Sequence, residues 1–94
     1  MTARPTAPLI EPENVAAAVK ALAAANRLDE ARERYAEVVA RHQRRASRIA
    51  LHYLREAADA DEAVQDAFVK AFTHIASYND GWPFEVWFTR ILIN

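Results

Sequence analysis

The chain is predicted to be an all-α protein, a small helical bundle in one domain. Its 94 residues include a single glycine, Gly81, whereas an all-β fold needs glycine in many of its turns. Several segments carry apolar residues at helical spacing, and alanine, the strongest helix former, is abundant. Because so short a chain buries little apolar area, we expect a modest core that depends on a few large side chains.

The first half of the chain predicts a tail followed by helices. Residues 1–12 hold three of the four prolines, and we expect them to form a disordered tail. Residues 13–25 predict a helix with a narrow apolar stripe that stops at Asn26. A second helix is predicted over residues 28–42, and residues 44–55 continue as helix. The pattern leaves open whether those two segments join without a break.

Side chains in residues 44–55 are predicted to divide between core and solvent. Ile49, Ala50, Tyr53 and Leu54 are expected to face inward, because they recur at helical spacing. The arginines of the same segment are expected on or beside the opposite face. Residues 57–60 are then predicted to form the turn to the next helix.

The second half of the chain predicts two more helices. Asp59 or Asp61 is expected to cap the first of them, and residues 61–77 are the clearest amphipathic helix of the chain. Residues 78–83 predict a loop, with Pro83 suited to the first turn of a last helix. Four residues repeat at helical spacing there and are expected to hold that helix to the bundle: Phe84, Trp87, Phe88 and Ile91.

The sequence lacks the common signatures of an enzyme. There is no cysteine, no phosphate-binding glycine loop and no nucleophile elbow, and the three histidines are too far apart to form a helical metal pair. No apolar run approaches the ~20 residues of a membrane span. We therefore predict a protein that is not an enzyme, binds no cofactor or metal, is not inserted in a membrane and resides in the cytoplasm.

Two surfaces are candidates for binding. The polar face of the 61–77 helix can dock on a partner helix through charge pairing and apolar contact, and the loop with the aromatic helix after it can stack on unpaired bases. The net charge of −1 conceals an acidic cluster and a basic cluster, each of which alone is as well explained by solvation. The acidic cluster is Asp59, Asp61, Glu62 and Asp66, and the basic cluster is Arg41, Arg44, Arg45 and Arg48.

Three motifs resemble bacterial sigma factors of the extracytoplasmic-function (ECF) group. The segment DADEAVQDAFVKAF at residues 59–72 is similar to region 2.2 of that family, and PFEVWFTRILIN at residues 83–94 is similar to the segment that follows it. YAEVVARHQRR at residues 35–45 and RIALHYL at residues 48–54 resemble region 2.1. The resemblance covers about residues 33–94 in order and spacing, and residues 13–25 are an additional helix that the family pattern does not match.

The resemblance implies a dissociable initiation subunit of RNA polymerase, of which this chain would be domain 2, a compact helical bundle. It implies that the region 2.2 helix binds the coiled coil of the β′ subunit. It also implies a possible anti-sigma factor as a partner. The residues expected to face β′ are Asp61, Glu62, Gln65, Asp66, Val69 and Lys70, with Phe68 and Phe72 mostly in the core behind them.

The same resemblance implies that the loop after that helix recognises the non-template strand of the promoter minus-ten element, with one base held in a pocket. The loop residues expected to contact DNA are Tyr78, Asn79, Asp80, Gly81 and Trp82. Arg90 and Asn94 are expected to contact phosphate or base, and Arg44, Arg45 and Arg48 are expected to contact the DNA backbone. For Trp82, packing against the bundle is an equally good interpretation.

The chain also departs from the family pattern. Arg55 and Glu56 follow Leu54 where the family commonly has glycine, and small residues occupy positions 46 and 47. The second, promoter-binding domain of the family is expected to be absent from this chain. An alternative function is a helical adaptor that binds proteins through a tetratricopeptide-like hairpin at residues 22–39, with no role on DNA.

Overall fold

The computed structural model describes residues 14–94, which form four α-helices and a short 3₁₀ segment, with no strand among them. The predicted tail, residues 1–12, lies outside the described residues. The predicted all-α bundle is confirmed. In chain order the elements are α1 (Val15–Ala24), α2 (Leu28–Leu54), α3 (Ala57–Thr73), the 3₁₀ segment (Ile75–Ser77) and α4 (Phe84–Ile93).

The end of α1 was predicted correctly at Asn26. Asn26 has a φ of 61°, a left-handed conformation that asparagine tolerates better than most residues. The Arg27 amide donates to the Leu22 carbonyl at 2.9 Å and the Asn26 amide donates to the Ala23 carbonyl at 3.0 Å. These two bonds satisfy the last carbonyls of α1 in a Schellman motif, and the chain then reverses into α2.

Helix α2 is continuous from Leu28 to Leu54, which settles the question that the pattern left open. At 1.5 Å per residue its 27 residues span about 40 Å, longer than any other helix of the described chain. The prediction that Tyr53 and Leu54 face inward is wrong, since Tyr53 is 63 % exposed and Leu54 is also exposed. The last turn of α2, residues 51–54, is thus exposed to solvent.

The turn between α2 and α3 lies earlier than predicted. Only Arg55 and Glu56 separate the helices, and Arg55 takes a left-handed φ of 68° as its amide donates to the Leu51 carbonyl at 2.8 Å. Helix α3 therefore begins at Ala57, and Glu56, not Asp59 or Asp61, is its N-cap. Two alanines begin the helix readily, and Asp59 lies in the first turn, where its charge complements the helix dipole.

Stacked aromatic rings form the centre of the core between α3 and α4. The ring centroids of Phe68 and Phe88 lie 4.4 Å apart, and those of Phe84 and Phe88 lie 5.5 Å apart. Phe84 and Phe88 are buried, as predicted for the apolar face of the last helix. Burial of each such ring stabilises the fold by about 1.5–3 kcal/mol. Ala46 and Ala50 are also buried, so the small residue at position 46 belongs to the packed face of α2.

Helix α1 packs on α2 and on the 3₁₀ segment, with Val15, Ala16 and Val19 buried. The additional N-terminal helix is thus part of the bundle. Within residues 14–94, no helix is long and apolar enough to cross a membrane.

Candidate nucleic-acid interface

Residues 78–82, the recognition loop, form a tight turn between the 3₁₀ segment and α4. The Trp82 amide donates to the Asn79 carbonyl at 3.0 Å, which closes a four-residue turn. The Gly81 amide donates to Asn79 Oδ1 at 2.9 Å, as in other asparagine-initiated turns. A Cβ atom at Gly81 would lie 3.3 Å from Asn79 Oδ1. Glycine therefore lets the side chain of Asn79 approach the backbone closely.

Tyr78 is fully buried at the start of the recognition loop. Its hydroxyl donates to the Trp82 carbonyl at 2.6 Å and accepts a hydrogen bond from Asn14 Nδ2 at 3.1 Å. Its ring lies 5.3 Å from that of Trp87 and 5.9 Å from that of Phe84, between centroids. The prediction that Tyr78 contacts DNA directly does not fit this position, because both its ring and its hydroxyl are occupied inside the protein. Tyr78 instead supports the loop from the core side, through its hydrogen bond to the Trp82 carbonyl.

An open cleft with a volume of about 160 Å³ lies between the recognition loop and α4. Asn79, Trp82 and Arg90, all predicted to contact DNA, line it together with Ser77, Val86 and Trp87. Trp82 is 55 % exposed, so it is not simply packed against the bundle. Most sites that enclose a whole small ligand occupy ~300–1,000 Å³, so this cleft suits one flat ring system rather than a larger molecule.

Three of the six residues that line the cleft are not among those predicted to contact DNA. Trp87 was assigned to the core, and it does contact Tyr78 and Phe84 there, but it is only half-buried and its other side borders the cleft. Val86 and Arg90 are four residues apart and thus lie on one face of α4. That spacing was the available signal for Val86. No local sequence pattern identifies Ser77 as a residue that lines the cleft.

A second groove adjoins the cleft along α4. Asn94 lines this groove together with Lys70 and His74. Ser77 and Trp87 border both the groove and the cleft. The predicted residues Arg90 and Asn94 therefore lie in neighbouring depressions of one surface. Lys70, predicted to contact polymerase, lies at the edge of this surface.

The predicted basic residues Arg44, Arg45 and Arg48 are exposed on α2. Arg45 Nη1 donates to Thr89 Oγ1 on α4 at 3.3 Å, so this part of α2 adjoins the helix that also carries Arg90. The His42 ring lies 4.9 Å from that of Phe84, between centroids. Burial lowers the pKa of His42; the Glu85 carboxylate opposes this shift, and Arg41 and Arg45 add to it.

The six residues predicted to contact polymerase are all exposed on α3. Val69 is an apolar residue on this face and is 66 % exposed. Acidic side chains precede it along the helix, while Phe68 is buried and Phe72 is half-buried on the inner side. Val69, Phe68 and Phe72 also line a shallow groove between α2 and α3.

The four helices form a small all-α domain with two candidate binding surfaces. Residues 38–94, more than half of the chain, match the model of the sigma-70 region 2 family. The chain belongs to this family. No curated protein and no solved structure matched the chain in the corresponding searches.

Membership of the family implies a sigma-factor role, in which region 2 binds RNA polymerase and takes part in promoter melting. The family is not a class of enzymes. The match begins within α2, five residues after the start that the motifs predicted, and α1 lies outside it.

Proposed function

We propose that this chain is domain 2 of an ECF-group sigma factor, and that its recognition loop holds one unpaired base of the promoter minus-ten element. The observation that supports this most directly is the cleft between the loop and α4. Its walls carry a half-exposed indole, a guanidinium group and a side-chain amide. These groups offer stacking, phosphate attraction and hydrogen bonding to a base edge, which are the interactions that bind single strands.

Asn79 gives the cleft a defined hydrogen-bonding character. Its Oδ1 accepts the Gly81 amide, which restrains the side chain and engages its acceptor atom. We propose that Nδ2 is the group presented to a ligand. An amide nitrogen only donates hydrogen bonds. We therefore propose that Asn79 recognises an acceptor atom on the base edge, while Trp82 stacks on its face.

The DNA backbone is proposed to run across α4 between two sets of cations. Arg90 lines the cleft beside this helix, and Arg45 contacts Thr89, the preceding residue of α4, with Arg44 and Arg48 nearby on α2. Counterion release favours the binding of such clusters to both duplex and single-stranded DNA. Asp80 lies in the same loop but pairs with Lys20, so its charge is partly neutralised where the strand would pass.

The exposed face of α3 is proposed to bind the β′ coiled coil of the polymerase core. Val69 supplies an apolar contact near one end of the face, and Asp61, Glu62 and Asp66 supply negative charge on its N-terminal side. An acidic face of this kind pairs with basic residues of a partner helix and steers the encounter. An anti-sigma factor that covers this face or the cleft would block the same functions.

Most of the apolar face that the alternative adaptor function would use is packed inside the bundle. Residues 22–39 were to bind a protein ligand, yet Ala31 and Val38 are buried there, and Leu22, Tyr35 and Val39 pack against the same core. The hairpin of α1 and α2 has thus used this apolar face within its own bundle.

Binding of labelled oligonucleotides tests the DNA part of the proposal. We expect the protein to prefer single-stranded DNA over duplex at low salt, and Trp82→Ala to weaken binding about 5- to 150-fold, which corresponds to the ~1–3 kcal/mol of a stacked base. Tyr53→Ala is the matched control, since it removes another exposed aromatic ring far along α2. Equal loss in both variants, or equal affinity for single strand and duplex, would refute the assignment of the cleft.

Titration with a peptide of the β′ coiled coil tests the polymerase face. The double variant Gln65→Ala/Asp66→Arg is expected to weaken binding without lowering the melting temperature, because both side chains are exposed. Glu33→Arg, a charge reversal at an exposed position of α2, is the control and should bind normally. Unchanged affinity of the double variant would count against this face.

A further inference from the structure

Helix α1 is attached to the recognition loop by two polar side chains, Asn14 and Lys20. Lys20 Nζ donates to the Tyr78 carbonyl at 2.6 Å and to Asp80 Oδ1 at 3.2 Å. Asn14 Nδ2 donates to the Tyr78 hydroxyl at 3.1 Å and to the Asp80 carbonyl at 3.4 Å. These contacts join residues 58 to 66 positions apart in the chain.

Asn14 has two functions at once. Its Oδ1 accepts the Ala17 amide at 3.1 Å and so caps the first turn of α1. Its amide group then donates to the Tyr78 hydroxyl, which itself donates to the Trp82 carbonyl at 2.6 Å. A chain of hydrogen bonds therefore leads from the N-terminus of α1 to the backbone of the exposed tryptophan.

Lys20 secures the other side of the same loop. Its ammonium group is only partly exposed and lies between a backbone carbonyl and a carboxylate. Charge-assisted hydrogen bonds of this kind are stronger than neutral ones. Because the partners are Tyr78 and Asp80, the residues on either side of Asn79, Lys20 restrains the residue that faces the cleft without touching the cleft itself.

We propose that Asn14 and Lys20, the α1 anchor, are positioning residues that set base discrimination by the recognition loop. This inference rests on the proposed function of that loop. A site that distinguishes bases must hold its donors and its stacking ring in fixed positions before the ligand arrives. The turn of residues 79–82 makes two hydrogen bonds of its own and accepts one from the Tyr78 hydroxyl, and the α1 anchor supplies further restraint from outside the region that matches the family.

Hydrogen exchange in the free, 94-residue protein tests the anchor without DNA. In Lys20→Met, which keeps the stem and removes the charge, we expect the Gly81 and Trp82 amides to exchange about tenfold faster, as loss of a hydrogen bond to a charged group implies. Asn14→Asp retains an oxygen to cap α1 and loses the donor to Tyr78, and is expected to have the same effect. Lys20→Arg restores a donor and should return exchange toward the wild-type rate.

Val38→Ala is the control for a general loss of stability. Val38 is buried on α2, so this variant weakens the bundle without touching the loop. The inference is overturned if Lys20→Met and Asn14→Asp accelerate exchange of the two loop amides no more than Val38→Ala does at equal global stability.

Base discrimination is the second measurement. Oligonucleotides of about ten thymidines, with one central base replaced in turn by each of the other three, are bound to wild type and variants. We expect the ratio of the strongest to the weakest affinity to fall toward one in Lys20→Met and Asn14→Asp, and to recover in Lys20→Arg. Loss of one charge alone lowers all affinities together, so an unchanged ratio with faster loop exchange also overturns the inference.

The two proposals fail in different ways. If wild type binds single strands and duplex alike, the proposed function of the loop is refuted. The exchange rates of the loop amides still test whether α1 restrains the loop. If wild type discriminates bases and the anchor variants discriminate equally well, the function stands and the positioning role of α1 is refuted.

Discussion

The hydroxyl of Tyr35 on α2 donates a hydrogen bond to the main-chain carbonyl of Phe68 in α3. The ring of Tyr35 also packs on Phe72, with centroids 4.9 Å apart, and burial raises the pKa of the phenol. A polar contact within an apolar seam thus helps to set the rotation of α3 about its axis. That rotation determines which side chains the proposed polymerase face presents.

Removal of this hydroxyl should lower stability modestly. We expect Tyr35→Phe to reduce the free energy of unfolding by about 0.5–1.5 kcal/mol, the usual net contribution of one hydrogen bond. Urea denaturation followed by circular dichroism measures the change. Tyr53→Phe removes the hydroxyl of an exposed tyrosine and should leave stability unchanged. A loss of the same size in both variants would contradict the role given to the Tyr35 contact.

The left-handed turn at Arg55 predicts a stabilising substitution. An L-residue in this conformation is strained by roughly 1–2 kcal/mol, and glycine is not, although glycine loses more backbone entropy on folding. We therefore expect Arg55→Gly to raise the free energy of unfolding by about 0.5–1 kcal/mol, measured by urea denaturation. Asn26→Gly, at the other left-handed position, should gain less because asparagine adopts this conformation more readily.

Much of the fold and part of the site could be predicted from the sequence. Apolar spacing located the helices and their buried faces, and Asn79 and Gly81 marked the turn, because these signals are local. The turn at Arg55 was misplaced because the residue that adopts the left-handed conformation is not glycine. The burial of Tyr78 and the contacts of Lys20 depend on residues far apart in the chain, and no local pattern reports them.

The lowered pKa of His42 predicts that acid destabilises the protein through this residue. Below the ordinary pKa of 6.5 the unfolded chain takes up a proton at His42, while burial, opposed by Glu85 and reinforced by Arg41 and Arg45, lowers the pKa of this residue in the folded protein and disfavours its protonation there. The unfolded state then binds more protons, so stability falls as pH decreases below about 6.5. We expect His42→Gln to reduce this slope, measured by urea denaturation across pH. His52→Gln, at an exposed position, should retain it.

Arg90 should contribute one phosphate contact to single-strand binding. It lines the cleft beside Trp82 and is exposed, so its guanidinium can follow the backbone of a strand whose base stacks on the indole. For single strands the slope of log affinity against log salt concentration changes by about 0.7 per phosphate contact. We expect Arg90→Gln to lower the slope by about that amount and to weaken binding at low salt similarly for all sequences, because phosphate contacts carry no base information.

Arg32→Gln is the matched control for this measurement. Arg32 is an exposed arginine that pairs with Asp29 and borders the groove between α2 and α3, so its loss changes net charge by the same amount. Its salt slope should stay at the wild-type value. If both variants lower the slope equally, the protein attracts the strand through its overall charge. If neither does, the strand does not pass Arg90, and the path proposed across α4 is wrong.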